Sequence, residues 1–359
     1  MNTYIERLVI ELSNKCNMKC QFCPHPVYTR EQKFMEFDLF QSIIDEIAAY
    51  NQANAELKLT DIIIFSGMGE QLLYPKFCEA VNYVASKGLK PHLTTNAVLL
   101  TEKKYAQIAE AGIDLFGISF HNLNQESFEY RGSNLSYRRY LDGMLAMADL
   151  QVRNQYNCEL EISVMYSIPG SVKAAFWNHL PAMHNSRYEY MLLLLDFLKA
   201  IYKIIRKHHL PVKSTMGDIL SAYENGQISN STKFFLTDHL SIIFIELQHQ
   251  VFNTRAKLAG ALANKMRLVP KSNAHCYYLR SCPMILSNGD FVPCGAECSG
   301  ELRLGTVGLN TSLVSILTSK EYTEFARRMS SIQDFDKLHS SCKECLIIKA
   351  TSNNCLFGP

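Results

Sequence analysis

The sequence predicts an α/β fold built on a parallel sheet, and two patterns carry that reading. Short apolar runs alternate with helix-periodic segments through the first half of the chain, the rhythm of strands joined by helical crossovers. The polar clusters of that half fall just after strand-like runs, where parallel α/β folds place their active sites. In order, strands are predicted at Leu8 to Leu12, Asp61 to Phe65, Lys90 to Thr95, Leu115 to Phe120 and Glu159 to Ser167. The run Asp61-Ile62-Ile63-Ile64-Phe65 reads as a strand buried on both faces. Helices are expected at Asp38 to Tyr50, where Leu39, Ile43, Ile44 and Ile47 keep helical spacing, then at Pro75 to Lys87, Thr101 to Ala111 and Tyr137 to Leu150.

The chain has 359 residues, enough for one large α/β domain and a smaller one. Net charge is +2 with 19% charged residues, which gives no electrostatic case for a nucleic-acid or membrane-surface partner. Residues 1 to 7 lack a cationic segment followed by an apolar one, so no secretory signal is expected. The most apolar run, Met191 to Ile205, is broken by Asp196, Lys199 and Lys203 and reads as a buried or amphipathic helix. Twelve cysteines in short spacings point to metal ligation in a reducing compartment rather than to a disulfide framework. A cytoplasmic location follows as an expectation.

Three of those thiols, Cys16, Cys20 and Cys23, lie within eight residues as C-x3-C-x2-C, just after the first strand. Thiolates are the usual ligands of iron–sulfur clusters, and a fully ligated four-iron cluster or a structural zinc would want four. Three leave one metal corner open. With Phe22 before the last thiol, this loop resembles the signature of the radical S-adenosylmethionine (SAM) superfamily. The resemblance implies a partial (β/α)6 TIM-like barrel, a [4Fe-4S] cluster whose open iron chelates SAM, and Phe22 near the adenine. Gly67-Met68-Gly69-Glu70 is similar to the family's Gly-Gly-Glu element, which holds the SAM amino group, with Met68 between the glycines; it also reads as an ordinary tight turn. Thr95, Asn96 and Ser119 match positions that contact SAM in relatives, and equally suit strand-end capping. His121, before the segment Tyr130-Arg131-Gly132, is a candidate for lining the substrate cavity or a satisfied structural histidine.

Seven cysteines occupy the last quarter of the chain: Cys276, Cys282, Cys294, Cys298, Cys342, Cys345 and Cys355. Met284 to Val292 reads as a β-hairpin with an Asn-Gly turn, and a hairpin could bring Cys276, Cys282 and Cys294 near one metal centre. A helix is expected at Ser312 to Arg328. The pattern resembles the SPASM or twitch domain, which carries auxiliary four-iron clusters. It implies one auxiliary cluster on Cys276, Cys282, Cys294 and Cys355, with Cys342, Cys345 and Cys298 as ligands of a second. A single twitch-like cluster on Cys276, Cys294, Cys342 and Cys345 and a zinc site are the alternatives. Thr351 stands where the two-cluster pattern has a cysteine. Cys78 and Cys158 read as core residues.

The expected organisation is a radical SAM core over residues 1–200, a mostly helical remainder and linker over 201–270, and an auxiliary cluster domain over 271–359. Gly170 to Arg267 reads as mostly helical, with Ile242 to Val251 ambiguous between strand and helix, and Arg255 as a second substrate-side candidate or a salt bridge. The resemblance implies reductive cleavage of SAM to a 5′-deoxyadenosyl radical that abstracts hydrogen from a substrate C–H, fed by a one-electron reductant such as flavodoxin or ferredoxin. The substrate readings are oxidation or epimerisation of a small polyol or aminosugar, or oxidation or crosslinking of a ribosomal peptide. The early Cys16 leaves no room for an N-terminal peptide-recognition domain, which favours the small molecule. A non-enzymatic iron–sulfur or zinc module is the reading from another class.

Overall fold

In the computed structural model, the described residues are 4–21, 23, 25, 29–166, 184, 186–246, 275–295, 297, 299–308, 310–332, 337–339 and 342. They fall in two compact units. One is drawn from Met1–Cys16, Pro24–Leu93 and Phe252–Pro359, the other from Asn17–Cys23 and Thr94–Val251. The boundary between units thus falls inside the cysteine loop and again inside the third strand.

The first unit contains β1 (Leu8–Ile10), β2 (Ile62–Phe65), the start of β3 (Lys90–Thr95), β8 (Met284–Ile285), β9 (Asp290–Val292) and β10 (Gly305–Thr306). Its strand order is β10-β9-β8-β1-β2-β3. β1, β2 and β3 run parallel, as the alternation predicts, with Leu8 opposite Ile63 and Ile64 opposite His92. β2 departs from expectation in its burial: Ile63 and Phe65 are buried, but Ile62 and Ile64 are only partly so. Its second face carries no continuous helix layer; Ile64 instead packs beside Val9, Met284, Leu286 and Val292. This apolar cluster explains why β8 joins β1 in parallel, with Val9 opposite Met284. Helix α1 (Phe37–Ala53) buries Phe40, Ile43, Ile44 and Ile47, one stripe of a 3.6-residue repeat. The Phe40 and Phe77 rings lie 5.9 and 5.4 Å from Phe65, Phe77 coming from α2 (Phe77–Ser86). All three rings are buried, each contributing about 1.5–3 kcal/mol.

The hairpin is confirmed, and its turn is sharper in detail than the sequence suggests. Leu286 N donates to Asp290 O at 2.9 Å and Gly289 N to Leu286 O at 2.8 Å. Ser287, Asn288 and Gly289 therefore form a three-residue loop, with Gly289 at φ 88°, a conformation glycine adopts without a Cβ clash.

The second unit orders its strands β4 (Leu115–His121), β5 (Glu159–Tyr166), β7 (Leu240–Glu246) and β6 (Lys233–Phe235). β4, β5 and β7 are parallel, and β6 is antiparallel to β7. Within the described part of 170–267, helices at Arg187–Lys207 and Met216–Glu224 agree with the mostly helical expectation, and the described start of the ambiguous Ile242 to Val251 run is strand. The run Ile242 to Ile245 carries β-branched residues that pair with Ile162 to Met165 of β5. Helices α3 (Glu102–Glu110), α4 (Gln125–Glu129), α5 (Tyr137–Asn154), α6 (Arg187–Lys207) and α7 (Met216–Glu224) complete the unit. α6 contains the apolar Met191 to Ile205 run and is amphipathic, burying Tyr190, Leu194, Phe197, Leu198 and Ile201 while Leu192 stays 42% exposed. Cys158 is a core residue, its thiol pushed up to about 11 by burial.

Candidate active site

In the first unit, the chain leaving β1 is clamped along its backbone. Gln71 Oε1 accepts from Leu12 N at 2.9 Å and Ser13 N at 3.1 Å, while its Nε2 donates to Ser13 O at 3.0 Å. Glu70 N donates to Lys15 O at 2.8 Å, one residue before Cys16. The Asn14 side chain bridges Glu31 O and Lys33 N, each at 2.7 Å. Glu11 is fully buried and accepts a two-pronged bond from Arg30 Nη1 at 2.9 Å and Nη2 at 2.8 Å. The same carboxylate also accepts from Met68 N at 3.0 Å and Ser287 N at 3.1 Å. Gly67 to Glu70 is thus fixed against the strand that leads to the thiols. The Glu70 carboxylate is 2% exposed and accepts from Leu72 N at 3.0 Å, capping the short helical turn Gln71–Leu73.

In the second unit, Asn17 to Cys23 is held by the segment after β4. Lys19 N donates to Arg131 O at 3.2 Å, Gln21 N to Tyr130 O at 2.8 Å, and Cys23 N to Cys20 O at 3.0 Å. Asn96 Nδ2 reaches Asn17 Oδ1 at 2.8 Å, while its own Oδ1 accepts from Val98 N at 2.9 Å. Thr95 Oγ1 accepts from Ala97 N at 3.0 Å. Thr95 and Asn96 thus brace the turn after the strand, the next helix being capped by Thr101 instead, and Asn96 also touches the cysteine loop. Arg131 is 2% exposed, and its Nη1 donates to Ser119 O and to Phe120 O, the latter at 3.0 Å. Burial pushes the Cys20 thiol above its ordinary value, and the Arg131 guanidinium, hydrogen-bonded to it, pulls the other way.

His121 closes β4 with a left-handed φ of 62° and only 8% exposure. Burial first, and the Arg131 charge second, hold its pKa well below 6.5. It is therefore neutral in the fold at pH 7, whereas an unfolded histidine protonates below about 6.5. Stability from this group is present above that pH and is lost as pH falls towards the folded pKa, at up to about 1.4 kcal/mol per pH unit. Urea unfolding at pH 7, 6 and 5.5 should show that decline, and His121→Asn, which tolerates positive φ, should flatten it. Equal slopes in the two proteins would refute this assignment.

In the C-terminal segment of the first unit, Cys276 N donates to Met329 O at 2.8 Å and Cys282 N to Tyr278 O at 2.9 Å. Cys282 packs against the Val9, Met284, Leu286 and Val292 cluster. Cys294 O accepts from Glu297 N at 3.1 Å, and Cys342 N donates to His339 O at 3.0 Å. Among the described residues, no three His, Cys, Asp or Glu side chains converge on a single-ion position. A four-iron cluster takes one thiolate on each iron and spreads its ligands. Phe22, Cys298, Cys345, Cys355 and Arg255 lie outside the described residues.

Comparison with known proteins places these features. The radical SAM superfamily model matches residues 10–179, taking in the three-thiol loop and the Gly67 to Glu70 turn. Residues 10–179 form a radical SAM superfamily domain. An iron–sulfur cluster-binding domain of the SPASM type matches residues 276–346, which covers the C-terminal cysteines up to Cys345 and stops before Cys355. SAM and a [4Fe-4S] cluster come with the first domain, auxiliary iron–sulfur clusters with the second. One curated relative is the tungsten-containing aldehyde ferredoxin oxidoreductase cofactor-modifying protein of Pyrococcus furiosus. It is 33% identical over 108 residues, 30% of this chain and 28% of that protein. The PqqA peptide cyclase of Bradyrhizobium diazoefficiens is 28% identical over 119 residues, 33% of this chain and 29% of that one. The matched segments thus span under a third of either relative. BtrN, solved in complex with AdoMet and 2-DOIA, shares the fold with a TM-score of 0.50 at 14% identity, covering 99% of both chains. The fold of this radical SAM protein is α/β with a parallel-dominated sheet of partial-barrel type. No described helix is long and apolar enough to cross a membrane.

Sequence reasoning missed two residues that shape this site, Glu11 and Gln71, and named Arg131 only within the segment Tyr130-Arg131-Gly132 without a role. One signal was visible for Glu11, a lone carboxylate inside an apolar strand run, since a buried charge has to be paired. Nothing local marks Gln71, whose partners lie 58 and 59 residues away.

Proposed function

We propose that the protein is a radical SAM enzyme that removes hydrogen from an unactivated C–H of its substrate, with net oxidation or epimerisation of a small polyol or aminosugar. The observation that carries the proposal is the three-thiol loop, its backbone pinned on the Lys15 side by Glu70 and on the Lys19 and Gln21 side by Arg131 and Tyr130. Three thiols within eight residues are the donor set of a four-iron cluster with one open iron. The buried Arg131 Nε, without a hydrogen-bond partner among the described residues, leaves polar capacity beside Cys20. The residues fit the group. Bound there, the cluster and SAM supply one-electron cleavage chemistry that ends in hydrogen abstraction.

In this reading Cys16, Cys20 and Cys23 hold the cluster. Gly67, Gly69 and Glu70 present backbone and carboxylate to SAM, with Phe22, Thr95, Asn96 and Ser119 along its length. Residues 271–359 form the auxiliary domain, with Cys276, Cys282, Cys294 and Cys355 as one ligand set and Cys342, Cys345 and Cys298 in reserve. His121 and Arg255 face the substrate, and neutral His121 can donate or accept one hydrogen bond without carrying charge. An external flavodoxin- or ferredoxin-type protein supplies the electron, and the enzyme works in the cytoplasm. The peptide reading stands second, favoured by the similarity to the PqqA peptide cyclase.

Anaerobically reconstituted protein should hold about four to eight irons per chain. Replacing Cys16, Cys20 and Cys23 together by alanine should remove about four of them and abolish 5′-deoxyadenosine formation from SAM. Cleavage that survives the triple change, or stoichiometric zinc in place of iron, sinks the enzyme reading. Deuterium transfer into 5′-deoxyadenosine from a labelled aminocyclitol, against none from labelled peptides, selects the substrate class; the reverse result selects peptide maturation.

A further inference from the structure

Arg131, in the segment Tyr130-Arg131-Gly132, is among the largest fully buried side chains. Its guanidinium spans three neighbours at once. Nη1 donates to the carbonyls of Ser119 and Phe120 at the end of β4, and Nη2 lies 3.7 Å from Met18 Sδ, inside the cysteine loop. The plane rests over the Tyr140 ring at 5.4 Å from its centroid. The Arg131 carbonyl meanwhile accepts from Lys19 N, and a Cβ on the next residue, Gly132, would come within 2.9 Å of Lys19 O. Backbone and side chain of one residue therefore grip the loop at Lys19 and at Met18. Cys20 follows two residues after Met18 on the same loop.

A cation buried this deeply is costly unless something negative stands near it. The described contacts of the guanidinium are neutral carbonyls, a thioether and an aromatic face, so compensating charge has to come from what the adjoining cysteine loop holds. We infer that Arg131 is a positioning residue for the cluster loop and a fixed charge that makes the cluster held by Cys16, Cys20 and Cys23 easier to reduce. The inference rests on the assignment of those three thiols proposed above. One electron from an external one-electron donor adds one negative charge to a thiolate-ligated cluster, and a buried guanidinium touching Met18 of the same loop favours that more negative form. The buried arginine thus offsets part of the charge that three thiolates and a cluster bring to the loop.

The test uses reconstituted full-length protein and a redox titration with dithionite, followed by the electron paramagnetic resonance signal that changes on SAM addition. That signal separates this cluster from auxiliary ones, because only the open iron binds SAM. Arg131→Gln keeps hydrogen-bonding capacity and removes the charge. With iron content unchanged, its reduced-to-oxidised ratio at a fixed potential should fall at least tenfold, equivalent to ~59 mV for a one-electron couple. Arg131→Lys keeps the charge and should stay within threefold of the native ratio. A Gln variant that holds its iron with an unshifted midpoint overturns the inference, as does a Lys variant shifted threefold or more. If Arg131→Gln does not fold, the Lys variant decides on the same threefold limit. Native protein without any SAM-sensitive cluster signal would instead overturn the assignment of the three thiols.

Discussion

Glu11→Gln should lower the unfolding free energy by about 3–5 kcal/mol, the usual cost of breaking a buried ion pair from one side. The carboxylate is fully buried and takes four hydrogen bonds, two from Arg30 and one each from Met68 N and Ser287 N. Glutamine replaces one acceptor oxygen by an NH2 group that faces these donors head-on. It also removes the negative charge opposite the Arg30 guanidinium, whose side chain is 14% exposed. The damage reaches past stability, because Met68 belongs to the Gly67 to Glu70 turn and Ser287 to the C-terminal hairpin. Urea denaturation followed by circular dichroism measures the loss. Arg30→Lys is the comparison: it keeps the charge and gives up the two-pronged geometry, so its loss should be less than half as large. A change below about 1 kcal/mol in Glu11→Gln would mean that the pair contributes no more than a surface salt bridge.

The contrast between Glu11 and the cysteine loop shows what a sequence can reveal of such a protein. Cys16, Cys20 and Cys23 are legible because their chemistry depends on local spacing, and spacing survives without a fold. The β1 to β5 series is legible for a similar reason. Each strand announces itself by a short apolar run between helix-periodic segments, and the observed bounds of β3 match the expected ones residue for residue. β6 and β7 were hidden, since a run such as Ile242-Ile243-Phe244-Ile245 fits a buried helix or a buried strand equally well until its pairing with β5 is known. Glu11, Gln71 and Arg131 act across 19 to 276 residues of chain. A charged or amide side chain seen alone in sequence reads as surface, and only the fold reveals that it is buried and what it meets. The partners of the supporting residues are therefore set by the fold, whereas the thiols are plain from their spacing alone.

Gly69 tests that support most directly. A Cβ at this position would stand 2.2 Å from Ser13 O and 2.6 Å from Asn14 Cα and C, all backbone atoms. No side-chain rotation relieves such a contact, so Gly69→Ala has to push residues 13–15 away from the Gly67 to Glu70 turn. That movement strains the Glu70 N to Lys15 O bond and the three bonds by which Gln71 clamps Leu12 and Ser13. Overpacking of this kind costs about 1–3 kcal/mol, and its direction carries Lys15, hence Cys16, with it. The expected outcome is a folded but destabilised protein, with reduced iron loading at the SAM-sensitive cluster and SAM binding weakened at least tenfold. Gly143→Ala provides the internal standard. It lies within α5, a Cβ there meets nothing within 4 Å, and removing a helical glycine should stabilise by about 0.5–1 kcal/mol. Isothermal titration of SAM into both reconstituted variants, alongside their iron content, separates the two cases. If Gly69→Ala binds SAM as the native chain does, the contact between the turn and residues 13–15 does not position the cofactor, and the clamp serves the fold alone.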